Sequence, residues 1–196
     1  RAGNGWYANK QAVQVGVVSR NAFGVDGLML RGEWNLVRPF MYTHSDTRQN
    51  YSHMGQPLAH PYGSNFQEAI AQAEWAHGRW LHSVRTSMAW LGSDTTFSQG
   101  NNIFRPESDR VLGPNGFSRD FGYRIGNAAG YTLFHGELRT GFLLDPSTGT
   151  CLDASWMFRM RTPETGGPEI ANVFRVGVAC YFRDRRSEQE VRYMLE

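Results

Sequence analysis

The sequence predicts an all-β chain: about seven strands, the C-terminal portion of an antiparallel up-and-down transmembrane β-barrel with long extracellular loops. Three observations carry this expectation. Apolar and polar residues alternate with period two over stretches long enough to cross a bilayer at a tilt. The links between those stretches alternate between short and long, as periplasmic turns and extracellular loops do. The face opposite the apolar one carries more charge than the packed core of a small domain tolerates.

Seven segments show the alternation. In 10–20, Val13, Val15 and Val17 share a face opposite Gln14, Gly16 and Arg20. In 28–40, Leu28, Leu30, Trp34 and Leu36 oppose Arg31, Glu33 and Asn35. In 66–75, Ala69, Ala71, Ala73 and Trp75 oppose Glu68, Gln72 and Glu74. The alanine and glutamate content there also suits a helix, but charge alternates with alanine, which favours a strand. In 79–91, Trp80, Val84, Met88 and Trp90 oppose Ser83, Arg85 and Ser87. In 130–144, Phe134, Leu138, Phe142 and Leu144 oppose His135, Glu137 and Arg139. In 150–161, Leu152, Ala154, Trp156, Phe158 and Met160 oppose Asp153, Ser155, Arg159 and Arg161. In 172–183, Phe174, Val176, Val178 and Phe182 oppose Arg175, Gly177 and Arg183.

The links at 21–27, 76–78 and 145–149 are short, those at 41–65 and 92–129 long, and 163–171 intermediate. Trp34, Phe40, Trp75, Trp80, Trp90, Phe142, Phe158 and Phe182 are expected near strand ends, where rings suit the headgroup level. With the short links periplasmic, residues 1–183 form barrel and 184–196 a periplasmic tail. An odd count of strands puts the two ends of the chain on opposite sides of the membrane. At least one further strand upstream is therefore expected, and this chain alone should form an open, curved sheet.

Composition permits this architecture and narrows the others. The 196 residues suffice for one domain, and 20 Lys+Arg against 18 Asp+Glu say little about nucleic acid, which is not an expected partner. Mean hydropathy is −0.49, and no run of 18 apolar residues occurs. That excludes a membrane-spanning helix but not a barrel. The two cysteines, Cys151 and Cys180, have no CxxC spacing; a disulfide requires their strands to be neighbours.

The long links hold the candidate ligand residues. Residues 41–65 read MYTHSDTRQNYSHMGQPLAHPYGSN and contain His44, His53 and His60. Three histidines and Asp46 are metal-ligand types, but their spacing matches no zinc pattern, so no metal and no cofactor are expected. His44, Asp46 and Ser45 are too close in sequence for triad geometry. Residues 92–129 are rich in Asn, Arg, Asp and aromatics, a composition suited to sugar hydroxyls and pyranose faces. Tyr42, His44, Arg48, Tyr51, His53, His60 and Arg105 are the candidate contacts.

One stretch carries a family resemblance. Residues 33–45 (EWNLVRPFMYTHS), 49–53 (QNYSH) and 56–68 (QPLAHPYGSNFQE) resemble the gliding-motility RemB family of Bacteroidota. That family is in turn similar to the capsule-assembly Wzi proteins. The resemblance is dense over residues 33–68, looser at Asn101-Asn102-Ile103-Phe104, and elsewhere only one of style. It implies a non-enzymatic outer-membrane barrel that helps surface polysaccharide assemble or attach, or that supports gliding. Its partners would be outer-membrane lipid, surface polysaccharide and other cell-envelope proteins. A general porin or transporter, and a soluble β-rich carbohydrate-binding module, remain the alternatives. An outer-membrane lipase or deacylase would need a Ser/His pair at the rim, for which the sequence offers no good candidate.

The facing assignment is directly testable. An arginine at Trp156 is expected to destabilise the bilayer-inserted protein by roughly 2–4 kcal/mol. Denaturant unfolding from vesicles would measure it, and an unchanged midpoint would contradict a lipid-facing Trp156.

Overall fold

The computed structural model describes residues 3–180, and within them regular structure is almost entirely β. The strands are β1 (Ala12–Arg20), β2 (Leu28–Val37), β3 (Ser52–His53), β4 (Gln56–Pro57), β5 (Phe66–His77), β6 (Trp80–Leu91), β7 (Tyr131–Asp145), β8 (Thr150–Pro163) and β9 (Glu169–Ala179). Seven form one antiparallel meander in the order β1-β2-β5-β6-β7-β8-β9, and β3 and β4 make a small separate hairpin. Every neighbour in the meander is also the next long strand in sequence, so no crossover is needed.

The seven alternating segments are the seven strands of this sheet. Residues 66–77 extend as a strand because each is paired on one or both sides, which overrides the helical preference of alanine and glutamate. The expected second strand ran to 40 but stops at Val37. Pro39 has no N–H to give the ladder, and Phe40 turns away at φ 63°. The last link, expected over 163–171, is shorter: β8 continues to Pro163 and β9 starts at Glu169. The rhythm of short and long links therefore ends on a short one. Positions 181–183 of the expected last strand, and the expected tail 184–196, lie outside the described residues.

Among the described residues the sheet is open, as expected of this chain alone. β1 and β9 are the two edges of the sheet and do not pair, so the described residues make an open sheet. No eighth long strand hides in 92–130, which holds only a 3-10 turn at Glu107–Asp109 and two isolated bridges.

The register aligns the alternation across all seven strands. Val15, Trp34, Ala69, Met88, Phe134, Met160 and Ile170 are successive cross-strand partners. Leu30, Ala73, Val84, Leu138, Trp156 and Phe174 form a second such row on the same face. The opposite face has Glu33, Ile70, Ser87, His135 and Arg159 in one row. Arg31, Gln72, Arg85 and Glu137 fill the next row, and Glu74, Ser83, Arg139, Ser155 and Arg175 the one beyond. One face is thus apolar and the other charged from edge to edge.

Aromatic placement follows the expectation in part. Trp75, Trp80, Trp90 and Phe142 lie near strand ends, and the Trp80 and Phe142 rings meet at 4.8 Å. Phe158 is well inside β8, while Phe40 leaves the sheet altogether and is buried beneath the loops. Phe182 lies outside the described residues. Cys151 pairs across the ladder with Ala179, so Cys180, one residue on, points to the other face and forms no disulfide with it.

The buried core is small and sits at one end of the charged face. Val37, Phe66, Ala89, Leu91 and Leu133 make it, with Met41, Tyr42, Tyr62 and Tyr131 packed on top from the long links. Asn65 pins this junction. At φ 62° it adopts a left-handed conformation that asparagine tolerates, and it is fully buried. Its Nδ2 donates to Gln99 O (3.3 Å), its Oδ1 accepts from Gly126 N (3.0 Å), and its carbonyl accepts from Gly92 N (2.9 Å). Replacing Asn65 by alanine strains the backbone and leaves two buried groups unsatisfied, at about 2–4 kcal/mol in total. Glycine keeps the conformation and should cost clearly less. Denaturant midpoints of the two variants would show this order; equal losses would rule out a role for the positive φ.

Candidate functional site

Residues 38–65 and 92–130, with the N-terminal segment 3–11, interlock over the loop end of the charged face. Phe40 and Tyr123 are the centre, both buried, with rings edge-to-face at 4.9 Å and Tyr7 edge-on to Phe40 at 6.1 Å. Gly100 is required beside them. Its φ is 77°, and a Cβ there would lie 2.5 Å from Phe40 N, whose N–H donates to Gly100 O.

Asparagines stitch the segments together. Asn50 Nδ2 donates to Ile103 O (2.6 Å) and Arg105 O (3.2 Å), while its Oδ1 accepts from His44 N (2.6 Å). Asn101 Nδ2 donates to Ser64 O at 2.9 Å. Lys10 closes the third side, with Nζ 2.7 Å from Glu107 Oε2 and 2.5 Å from Thr43 O. The Arg110 guanidinium lies over the Tyr7 ring at 3.6 Å and bonds Asp120 at 2.9 Å. The result is an ordered cap, built from polar groups that satisfy the backbone of irregular segments.

The seven residues expected at a ligand site fall into distinct roles within this cap. Tyr42 and Tyr51 come together, ring centroids 5.8 Å apart, with Tyr51 N donating to Tyr42 O. Tyr51 is exposed, so the pair offers an aromatic surface to solvent. Burial, with Tyr51 adding to it, pushes the Tyr42 phenol above its ordinary pKa. His44 and Arg105 are joined through Asn50, but by their backbone groups. The Arg105 side chain holds the 92–109 segment: Nε donates to Asp109, and Nη2 donates to Thr96 O at 2.9 Å. Arg48 is exposed and clasps Asp46, whose carboxyl it holds below the usual range. His53 is exposed on the small hairpin. His60 turns inward, Nε2 at 3.2 Å from Glu68 Oε2 and its ring 4.4 Å from Phe66. Tyr51, Tyr42 and His53 are thus surface groups, whereas His60 and Arg105 hold the cap in place. Among the described residues no three His, Cys, Asp or Glu side chains cluster as metal ligands.

Sequence reasoning did not single out the anchors Asn50, Asn65 and Asn101, nor the group beneath the cap. Tyr62 hangs from the cap over the charged face, its ring edge-on to Phe66 at 5.6 Å. Burial pushes its phenol up to about 12, the Glu68 and Tyr131 charges push the same way, and Arg159 and Arg85 oppose them. Alternation did signal that Arg85 and Arg159 share the charged face; nothing in the spacing signalled that Tyr62 would come within their electrostatic range.

A phenol raised above its unfolded value favours the folded state fully below pH 10, and that contribution disappears as pH rises towards about 12. Tyrosinate absorbance should therefore show a late step near pH 12 that Tyr62→Phe removes; a Tyr62→Phe curve superposing on wild type there would contradict the buried setting. Comparison with known proteins adds nothing to this geometry: no family model, no curated protein and no solved structure matches the chain.

Proposed function

We propose that this chain forms part of the wall of an outer-membrane β-barrel that acts, without catalysis, on surface polysaccharide during its assembly or attachment. One observation supports the membrane reading above the rest: the apolar face runs unbroken across seven strands in matched register, with no second layer over it among the described residues. Val15, Trp34, Val84, Trp156 and Val176 are all exposed on it. An apolar surface of this extent marks contact with a partner or a membrane, and a sheet in water would have buried it. The twelve-residue strands β5 and β6 fit the same setting. At about 3.3 Å per residue and a tilt of about 40°, such strands reach about 30 Å, the thickness of the hydrocarbon layer.

The charged face would then line a wet interior, and the unpaired edges β1 and β9 would be closed by further strands, since open edges in lipid cost several kcal/mol per unpaired group. Polysaccharide is favoured as the ligand by the resemblance of residues 33–68 to the RemB and Wzi proteins and by the Tyr42–Tyr51 surface on the cap. The interlocked cap over the mouth speaks against a wide general porin. Support of gliding is the second reading, resting on the same resemblance.

The test has two parts. The protein should stay with outer-membrane vesicles through an alkaline wash and need detergent for release. It should bind the capsular polysaccharide of its own cell, and Tyr51→Ala should weaken that binding about five- to tenfold, as loss of an aromatic contact does. Release by the wash alone would remove the membrane reading; undiminished binding by Tyr51→Ala would remove the cap surface as the contact.

A further inference from the structure

A cleft of about 310 Å³ opens at the loop end of β6, β7 and β8. Its floor is main chain. Gly126, from the long link, lies so close to Gly130 that a Cβ on Gly130 would come 2.9 Å from Gly126 O. Asn65 fixes that approach, since its Oδ1 accepts from Gly126 N at 3.0 Å. Glu164 stands on one side, held by its N–H donating to Gly130 O at 2.9 Å. Trp90 stands on the other, with Thr132 and Thr162 between, because Trp90, Thr132 and Thr162 are successive cross-strand partners. Direct partners have Cβ atoms about 5 Å apart, so the two hydroxyls lie side by side. Trp90, Thr162 and Glu164 are exposed. The two threonine hydroxyls and the Glu164 carboxylate have no hydrogen-bond or ion-pair partner among the described residues.

Trp90, Thr132 and Thr162 belong to the apolar face, at its border. Gln67, Trp90, Thr132 and Thr162 form one cross-strand row, and the next row inward is Ala69, Met88, Phe134 and Met160. Apolar side chains therefore give way to polar ones at the level of the cleft. Trp80, on the same face of β6, lies ten residues away at the short-turn end. At about 3.3 Å per residue and a tilt of about 40°, the two indoles stand about 25 Å apart along the bilayer normal, the height of a barrel's apolar band. In the membrane reading the Trp90 row thus lies level with the outer-leaflet headgroups, on the lipid side of the wall.

These groups match a flat ring edged with hydroxyls. An indole face takes the C–H side of a pyranose, threonine hydroxyls both donate and accept, and a carboxylate accepts from two hydroxyls at once. An anionic sugar would meet Glu164 as a like charge, and a phosphocholine head has no hydroxyl to donate to it. The volume lies at the lower end of the range for small-molecule sites and suits one ring rather than a chain. We propose that this cleft is a subsite for one neutral pyranose, carried as the headgroup of an outer-leaflet glycolipid. The proposal rests on the membrane reading and adds a specific lipid partner to it, at a place separate from Tyr42 and Tyr51 on the cap.

The test uses the full chain in nanodiscs of phosphatidylcholine mixed with galactosyl diacylglycerol of the same acyl chains. Native mass spectrometry reads which lipid stays bound. The galactolipid should be retained in preference to phosphatidylcholine. Trp90→Ala should weaken that retention about tenfold, and Trp90→Tyr, which keeps an aromatic face, should fall between. Thr162→Val, which keeps the shape and loses the hydroxyl, should weaken it about fivefold. Circular dichroism of the variants checks that the sheet is intact. Equal retention of the two lipids, or full retention in both Trp90→Ala and Thr162→Val, would overturn the subsite. So would an equal loss of both lipids in Trp90→Ala, which is the behaviour of an interfacial anchor only. Displacement of the galactolipid by free methyl galactoside at equal concentration would give the cleft to soluble glycan and overturn the lipid assignment. If the alkaline wash releases the protein from vesicles, the membrane reading falls and the subsite with it; if the protein stays and shows no preference for the galactolipid, the subsite alone falls.

Discussion

A single sheet has two faces and can bury neither against itself. That constraint governs this structure. Every long strand is apolar on one side and charged on the other, and the register keeps the sides separate from β1 to β9. Neither a helix layer nor a second sheet covers the apolar face among the described residues. Ladder hydrogen bonds satisfy the backbone between the edges in any solvent, but the two faces favour different surroundings: the apolar one a partner or apolar medium, the charged one water or polar groups.

The cap answers a second problem set by the same architecture. Two long links leave the sheet at one end, and irregular backbone cannot pair with itself as strands do. Asn50, Asn65 and Asn101 supply the missing partners, each side chain bonding backbone of another segment. Apolar burial at this end is limited to a small cluster around Phe66 and a second around Phe40 and Tyr123. Polar bridges therefore carry much of the order, which explains why Arg105 and His60, chemically attractive as ligand contacts, are engaged in holding the loops.

Function follows from what these devices leave available. The cap presents the exposed Tyr51 beside Tyr42 to solvent. That aromatic pair is the part of the cap on which the polysaccharide proposal rests.

The sequence by itself determined the all-β antiparallel class, the seven long strands, and which residues share a face. Side-chain alternation is a local property with period two, and Trp34 and Glu33 are committed to opposite faces by adjacency alone. It determined less about ends and links: Phe40 reads as a strand aromatic, yet the proline before it and its own positive φ carry it into the cap. Of the candidate ligand residues, residue type alone brought forward Tyr42 and Tyr51 together with His60 and Arg105. Only the tertiary structure separated the surface pair from the two that fix the cap, because their partners Glu68, Asp109 and Thr96 come from other places in the chain. The packing of Tyr62 against Phe66 and His60 was likewise decided in three dimensions. Pairing partners and facing groups are set by register and loop closure, which join residues far apart in sequence and leave no local pattern to read.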